Sequence, residues 1–164
     1  MRKTWFILVV GLLALSSCQQ KVVYSDFRTL PIEGWHEDSV LTFETDMQDS
    51  VGTYDVLIVV RHTNQYAYQN LWLFVESCTD LGISQRDTIE ATLADDYGRW
   101  LGSGINRYEL PLLYIENSPA HTCPRRFTIQ HGMRTEWLKG ITDVGVVIRE
   151  QCLVDAPVAL LFSV

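Results

Sequence analysis

Along most of the chain, apolar and polar residues alternate in short runs bounded by turn-forming residues, a period of two rather than 3.6. In 39–44, Val40 and Thr42 fall on one side and Leu41 and Phe43 on the other. Residues 54–62 (YDVLIVVRH) are rich in β-branched side chains and follow Asp49, Ser50 and Gly52. Residues 70–78 (NLWLFVESC) come after a polar loop holding Asn64, Gln65, Tyr66 and Tyr68. In 87–93, Thr88, Glu90 and Thr92 oppose Ile89, Ala91 and Leu93. Runs at 106–115, 126–131 and 144–149 complete the set, and Val22, Val23 and Tyr24 are suited to opening one more strand. β-branched and aromatic side chains fit a pleated, half-buried surface, and short strands at this spacing mark an all-β domain. The middles of 54–62 and 70–78 are apolar on both faces, as in central strands of a sandwich. The best helical stretch, 91–105, is broken by Gly98, Gly102 and Gly104. The pattern predicts a single antiparallel β-sandwich of about seven to nine strands, immunoglobulin-like or jelly-roll-like, over residues 27–150.

Both ends depart from the alternation. Arg2 and Lys3 precede an unbroken run of eleven apolar or glycine residues, 5–15, and then Leu15-Ser16-Ser17-Cys18. A basic start with a short apolar run is an export signal. Eleven residues cover roughly half of a bilayer core as a helix, too few for a lasting span. The cleavage zone resembles the bacterial lipobox. Small side chains at 16 and 17 let a peptidase close on the backbone, and the thiol of Cys18 is the group able to take a diacylglyceryl thioether. Residues 1–17 are therefore read as a lipoprotein signal peptide and Cys18 as the lipidation site, with fatty acyl chains such as palmitate. Residues 18–26 are read as a lipidated tether. Each buried methylene adds about 0.8 kcal/mol to such an anchor. The tail, 151–164 (QCLVDAPVALLFSV), is mostly apolar and too short to cross a bilayer as a helix. It packs along the domain, pairs with an edge strand, or stands as an adventitious extension.

Removing the leader takes the formal charge from −7 to −9. An acidic domain without a basic cluster is a poor ligand for nucleic acid or anionic headgroups. Cys78, Cys123 and Cys152 remain beyond Cys18, so one internal disulfide is the maximum in an oxidising compartment, and the pair is left open.

Several segments resemble the gliding motility lipoprotein GldH family of Bacteroidetes: FRTLPIEGWHEDSVLTFE at 27–44, RHTNQYAYQNLWLFVE at 61–76, DTIEATLADDYGRWLGSG at 87–104, FTIQHGMR at 127–134 and GITDVGVVIRE at 140–150. The resemblance covers roughly residues 18–150, and the tail departs from it. It implies an outer-membrane lipoprotein linked to gliding motility and type IX secretion, working through protein partners and without enzymatic chemistry. No acidic residue directly follows Cys18, the first being Asp26, so the periplasmic face is preferred to the cell surface.

Candidate chemistry is sparse. His36, His62, His121 and His131 lack zinc-site spacing, so no metal or other cofactor is expected. His62 and His131 sit at strand ends, where such residues are rim side chains or meet across a sheet. Asp95 and Asp96 with Glu90 or Asp143 would have to meet within about 5–9.5 Å to act as a carboxylate pair; solvated loop acids are the expectation. No serine lies in a nucleophile elbow, and no catalytic residue is assigned. The aromatic residues are more informative, because aromatics anchor interfaces and stack on sugar rings. Trp72 is assigned to the core by its strong strand. Tyr66, Tyr68, Tyr97 and Trp100, in or near loops, form the candidate interaction surface, with a glycan as the alternative partner.

Overall fold

The computed structural model describes residues 21–45 and 52–151. The leader, Cys18, Asp49, Ser50, Cys152 and the tail from 152 onward lie outside the described residues. Among the described residues ten strands occur: β1 (Lys21–Thr29), β2 (Trp35–His36), β3 (Leu41–Glu44), β4 (Thr53–Thr63), β5 (Asn70–Cys78), β6 (Ser84–Thr92), β7 (Arg107–Pro119), β8 (Arg126–His131), β9 (Trp137–Leu138) and β10 (Ile141–Glu150). Among the described residues the single helical element is a 3-10 turn, Ala120–Thr122.

Eight strands form two four-stranded sheets, ordered β1-β10-β4-β7 and β3-β8-β5-β6, and every pairing is antiparallel. Of the eight strands, only β5 and β6 follow one another within a sheet, as a hairpin; every other step along the chain passes from one sheet to the other. This is the double Greek key of a jelly roll, which resolves the two expected alternatives. β1 begins at Lys21, paired with Glu150, so the second half of the segment read as a tether belongs to the sheet edge. β2 and β9 make a separate two-stranded pair from segments about a hundred residues apart, with Trp35 opposite Leu138.

Period-two alternation explains the layers. Val56, Ile58 and Val60 of β4 and Val144, Val146 and Ile148 of β10 face Leu71, Leu73 and Val75 of β5 and Phe127 and Ile129 of β8 in one continuous core. Burying a Val, Leu, Ile or Phe side chain is worth about 1.5–3 kcal/mol each, so this interior dominates folding. β4 is buried on both faces, because Leu57, Val59 and Val147 form a second small cluster under Phe27 on the outer face of the first sheet. β5 differs from expectation. Trp72 and Phe74 point outward, Trp72 at 37% exposure, while Leu71, Leu73 and Val75 point in. The assignment of Trp72 to the core is therefore corrected. The pleat sends successive side chains to opposite faces, and the leucines on either side of it took the inner one.

The strand directions define two ends. Lys21, Glu150, Tyr54 and Ser118 are in register at one end of the first sheet, and Glu44, Arg126, Cys78 and Ser84 at the same end of the second. The Tyr24 hydroxyl donates to the Glu44 carbonyl at 3.2 Å and joins the two sheets there. This end, which lies nearest in sequence to Cys18, is the proximal end. The distal end carries the loops at 63–69, 93–106 and 132–136.

Candidate functional site

Two distal loops are tied together by backbone hydrogen bonds. Leu93 and Ala94 both donate to the Gln69 carbonyl, and Leu101 donates back to Leu93. Ala94 and Trp100 form an isolated antiparallel bridge that closes a tight loop. Asp95 organises that loop: its carboxylate accepts from the backbone amides of Tyr97 at 3.0 Å and Arg99 at 2.9 Å and from the Arg99 guanidinium at 2.7 Å. These donors, the Arg99 amide first, hold the Asp95 carboxyl below its ordinary range. Gly98 completes the turn at φ 76°.

Beneath the loop lies an aromatic cluster built on His62 at the end of β4. Trp100 meets the imidazole edge-on at 4.5 Å, and Tyr108 stacks on it at 5.4 Å. Tyr66 lies 6.0 Å from it and meets Tyr68 edge-on at 5.7 Å. The Trp100 Nε1 donates to Asn64 Oδ1 at 2.7 Å. His62 is fully buried, one ring nitrogen 3.3 Å from the Thr63 carbonyl and the other, Nε2, without a protein partner. Burial lowers its pKa, because a charged imidazole loses its hydration there. His131 is likewise buried; its Nε2 lies 3.1 Å from the Trp35 carbonyl, and Nδ1 has no partner. The two histidines are in different sheets and neither is a rim residue, which corrects that expectation.

The four predicted surface residues separate. Tyr97 is 86% exposed and Tyr68 is also exposed, whereas Trp100 is half-buried. Tyr66 is buried: its hydroxyl donates to the Asn70 carbonyl at 2.7 Å, and its backbone packs against Gly140. It is corrected from interaction surface to core, and burial drives its hydroxyl pKa upward. Sequence reasoning missed Leu101 and Ile105, both exposed on the same distal loop. It also missed the outer face of β5, which exposes Trp72 and Phe74, the latter lining a groove of about 440 Å³ with Val40, Arg86, Thr88 and Gln130. Outward parity on β5 is the one signal able to reveal it.

Asp95 and Asp143 each hold an arginine of their own, Arg99 and Arg107, rather than a shared proton. Among the described residues no three His, Cys, Asp or Glu side chains come together to hold a metal ion, and no disulfide joins Cys78 to Cys123.

The family model described as GldH lipoprotein matches residues 22–148, from the start of β1 to near the end of β10. The chain belongs to the GldH lipoprotein family. Among its relatives, the gliding motility lipoprotein GldH homolog of Christiangramia forsetii is 36% identical over 154 residues, 88% of this chain and 94% of that protein. The gliding motility lipoprotein GldH of Flavobacterium johnsoniae is 30% identical over 152 residues, 88% of this chain and 95% of that protein. Of solved structures, the VP2 subviral particle of infectious bursal disease virus is similar with a TM-score of 0.36 and 16% identity, over 82% of this chain and 33% of that one. In this GldH family member the first described strand, β1, starts at the proximal end of the sandwich, and the aromatic loops stand at the other.

Proposed function

We propose that this GldH lipoprotein is a non-enzymatic accessory of the gliding motility and type IX secretion machinery, anchored by lipid on Cys18 in the outer membrane and facing the periplasm. It acts through protein contact made by its distal end. The observation that supports this most is the exposure of Tyr97, Tyr68, Leu101 and Ile105 on loops at the end opposite the N-terminus. β10 alone is ten residues long, so these loops stand roughly 30 Å from the membrane-facing end, at about 3.3 Å per residue. Exposed aromatic and aliphatic side chains on a braced loop are what interface anchors require. The relatives named for gliding motility supply the process.

The test is a photo-crosslinking residue placed at 97, with one at 85 on the proximal half of β6 as reference, in intact cells. Adducts with gliding or secretion components from 97 and not from 85 are expected, as is loss of spreading and secretion in a clean deletion strain. Normal spreading and secretion in that strain would overturn the reading.

A second reading is favoured by the outer face of β5. Trp72 and Phe74 with the adjacent groove offer a glycan two apolar faces beside Arg86 and Gln130. Glycan-array binding that disappears in Trp72→Ala would select it, and a blank array would remove it.

A further inference from the structure

The proximal end carries an apolar projection that the interior does not need. The β5–β6 hairpin turns at 79–83, and its tip exposes Leu81 at 75% and Ile83 at 65%. Three amides of the tip are bonded within it: Thr79 donates to the Ile83 carbonyl at 3.0 Å, Gly82 to the Thr79 carbonyl at 2.9 Å, and Ile83 to Thr79 Oγ1 at 3.2 Å. Amides already bonded within a turn lower the cost of taking it out of water. Behind it, Leu81, Ile83, Tyr114, Ile115 and Pro124 line a groove of about 460 Å³. At the opposite edge of the same end, Val22 and Val23 are exposed on β1.

The three basic side chains Lys21, Arg125 and Arg126 of this end are ion-paired, and Arg149 is offset by Asp55 and Glu116 nearby in the strand register. Lys21 lies 4.0 Å from Glu150, Arg125 bonds Asp80 at 3.0 Å, and Arg126 bonds Glu44 at 3.1 Å. The end presents no excess positive charge to attract anionic headgroups, and its exposed side chains are aliphatic. Cys18 precedes Lys21 by three residues, and three residues of extended chain reach at most about 10 Å. A lipid on Cys18 thus brings the proximal end to the headgroup layer.

We infer that the 79–83 hairpin tip is a second membrane contact, with Leu81 and Ile83 seated in the interfacial layer of the bilayer that holds the lipid. The anchor supplies attachment. The tip, at the far edge of the sandwich from β1, supplies orientation and stands the domain upright so that the distal loops project away from the membrane. The inference rests on the lipoprotein reading.

Tryptophan quenching by brominated lipid tests it on the full lipidated protein. The native Trp35, Trp72, Trp100 and Trp137 all lie in the distal half and form the unquenched background. Leu81→Trp, Ile83→Trp and, at the distal rim, Ile105→Trp are reconstituted separately in vesicles of phosphatidylethanolamine and phosphatidylglycerol with brominated acyl chains. Loss of the added emission is expected for positions 81 and 83 and not for 105, unchanged at high salt. Vesicle-bound protein whose positions 81 and 83 are quenched no more than wild type overturns the inference. So does equal quenching at 105, or quenching abolished by salt. Protein that fails to co-float with vesicles fails the anchor itself, which separates the two readings.

Discussion

Trp100 lies edge-on to His62 with ring centroids 4.5 Å apart, and its indole donates to Asn64 at 2.7 Å. One side chain therefore joins the 94–100 loop, the end of β4 and the 63–69 loop. The candidate interaction surface rests on this joint, while its most exposed aromatic member, Tyr97, takes no part in it.

Stability and recognition are consequently separable. Trp100→Ala removes packing on His62 and Tyr108 and the bond to Asn64, and is expected to cost about 2 kcal/mol in urea unfolding, less than a fully buried tryptophan. Tyr97→Ala is expected to stay within about 0.5 kcal/mol of wild type while weakening partner crosslinking. Equal loss of stability in the two variants would contradict this division.

The buried histidines set an acid limit. Burial holds His62 and His131 below their ordinary value of 6.5 in the folded chain. The unfolded chain thus takes up more protons as pH falls below 6.5, and stability drops until the folded values are reached. Above 6.5 both forms are neutral and this contribution is flat. Urea midpoints measured from pH 8 to pH 5 are expected to fall in that lower window. The fall shrinks in His131→Gln; an identical slope in that variant would assign the acid sensitivity elsewhere.

Gly145 sits opposite Phe27 in the β1–β10 register, and the ring lies where a side chain on 145 would begin. Arg61 in turn stacks on Phe27 at 3.8 Å. Gly145→Val displaces the ring and uncovers Val59 and Val147, with an expected loss of about 1–3 kcal/mol. A Tm equal to wild type would show that β1 moves aside freely.

Asp143 is buried and accepts from Thr29 Oγ1 at 2.9 Å and from Arg107 at 2.5 Å, which ties β1, β10 and β7 together at the distal end. Asp143→Ala leaves both donors without that acceptor and is expected to cost about 2 kcal/mol. Amide exchange should quicken at the distal ends of β1 and β7 and remain slow at Val146 and Ile148.

Seven of the eight longer strands were legible because each carries its own alternation and its own boundaries; β1 showed only as Val22, Val23 and Tyr24 inside a segment read as a tether. The 54–62 and 126–131 runs correspond to β4 and β8 almost residue for residue. β2 and β9 were not legible, since two-residue strands carry no period and Trp35 finds Leu138 only after the jelly roll has closed. The candidate site was half legible. Tyr68 and Tyr97 emerged from loop position alone, but Tyr66 occupies the same polar stretch and is buried beneath the chain at Gly140.

By itself the sequence determined the all-β class, and it carries the pattern read as an export signal with a lipid-accepting cysteine and no motif for metal or nucleophilic chemistry. These follow from order, spacing and residue type, which are local properties. Tertiary structure alone decided the parity of β5, which turned Trp72 and Phe74 outward. It also decided the burial of His62 beneath Trp100, and the placing of Leu81 and Tyr97 at opposite ends. Such outcomes depend on which strands become neighbours, and neighbours are chosen by the closing of two sheets over one core rather than by any single segment.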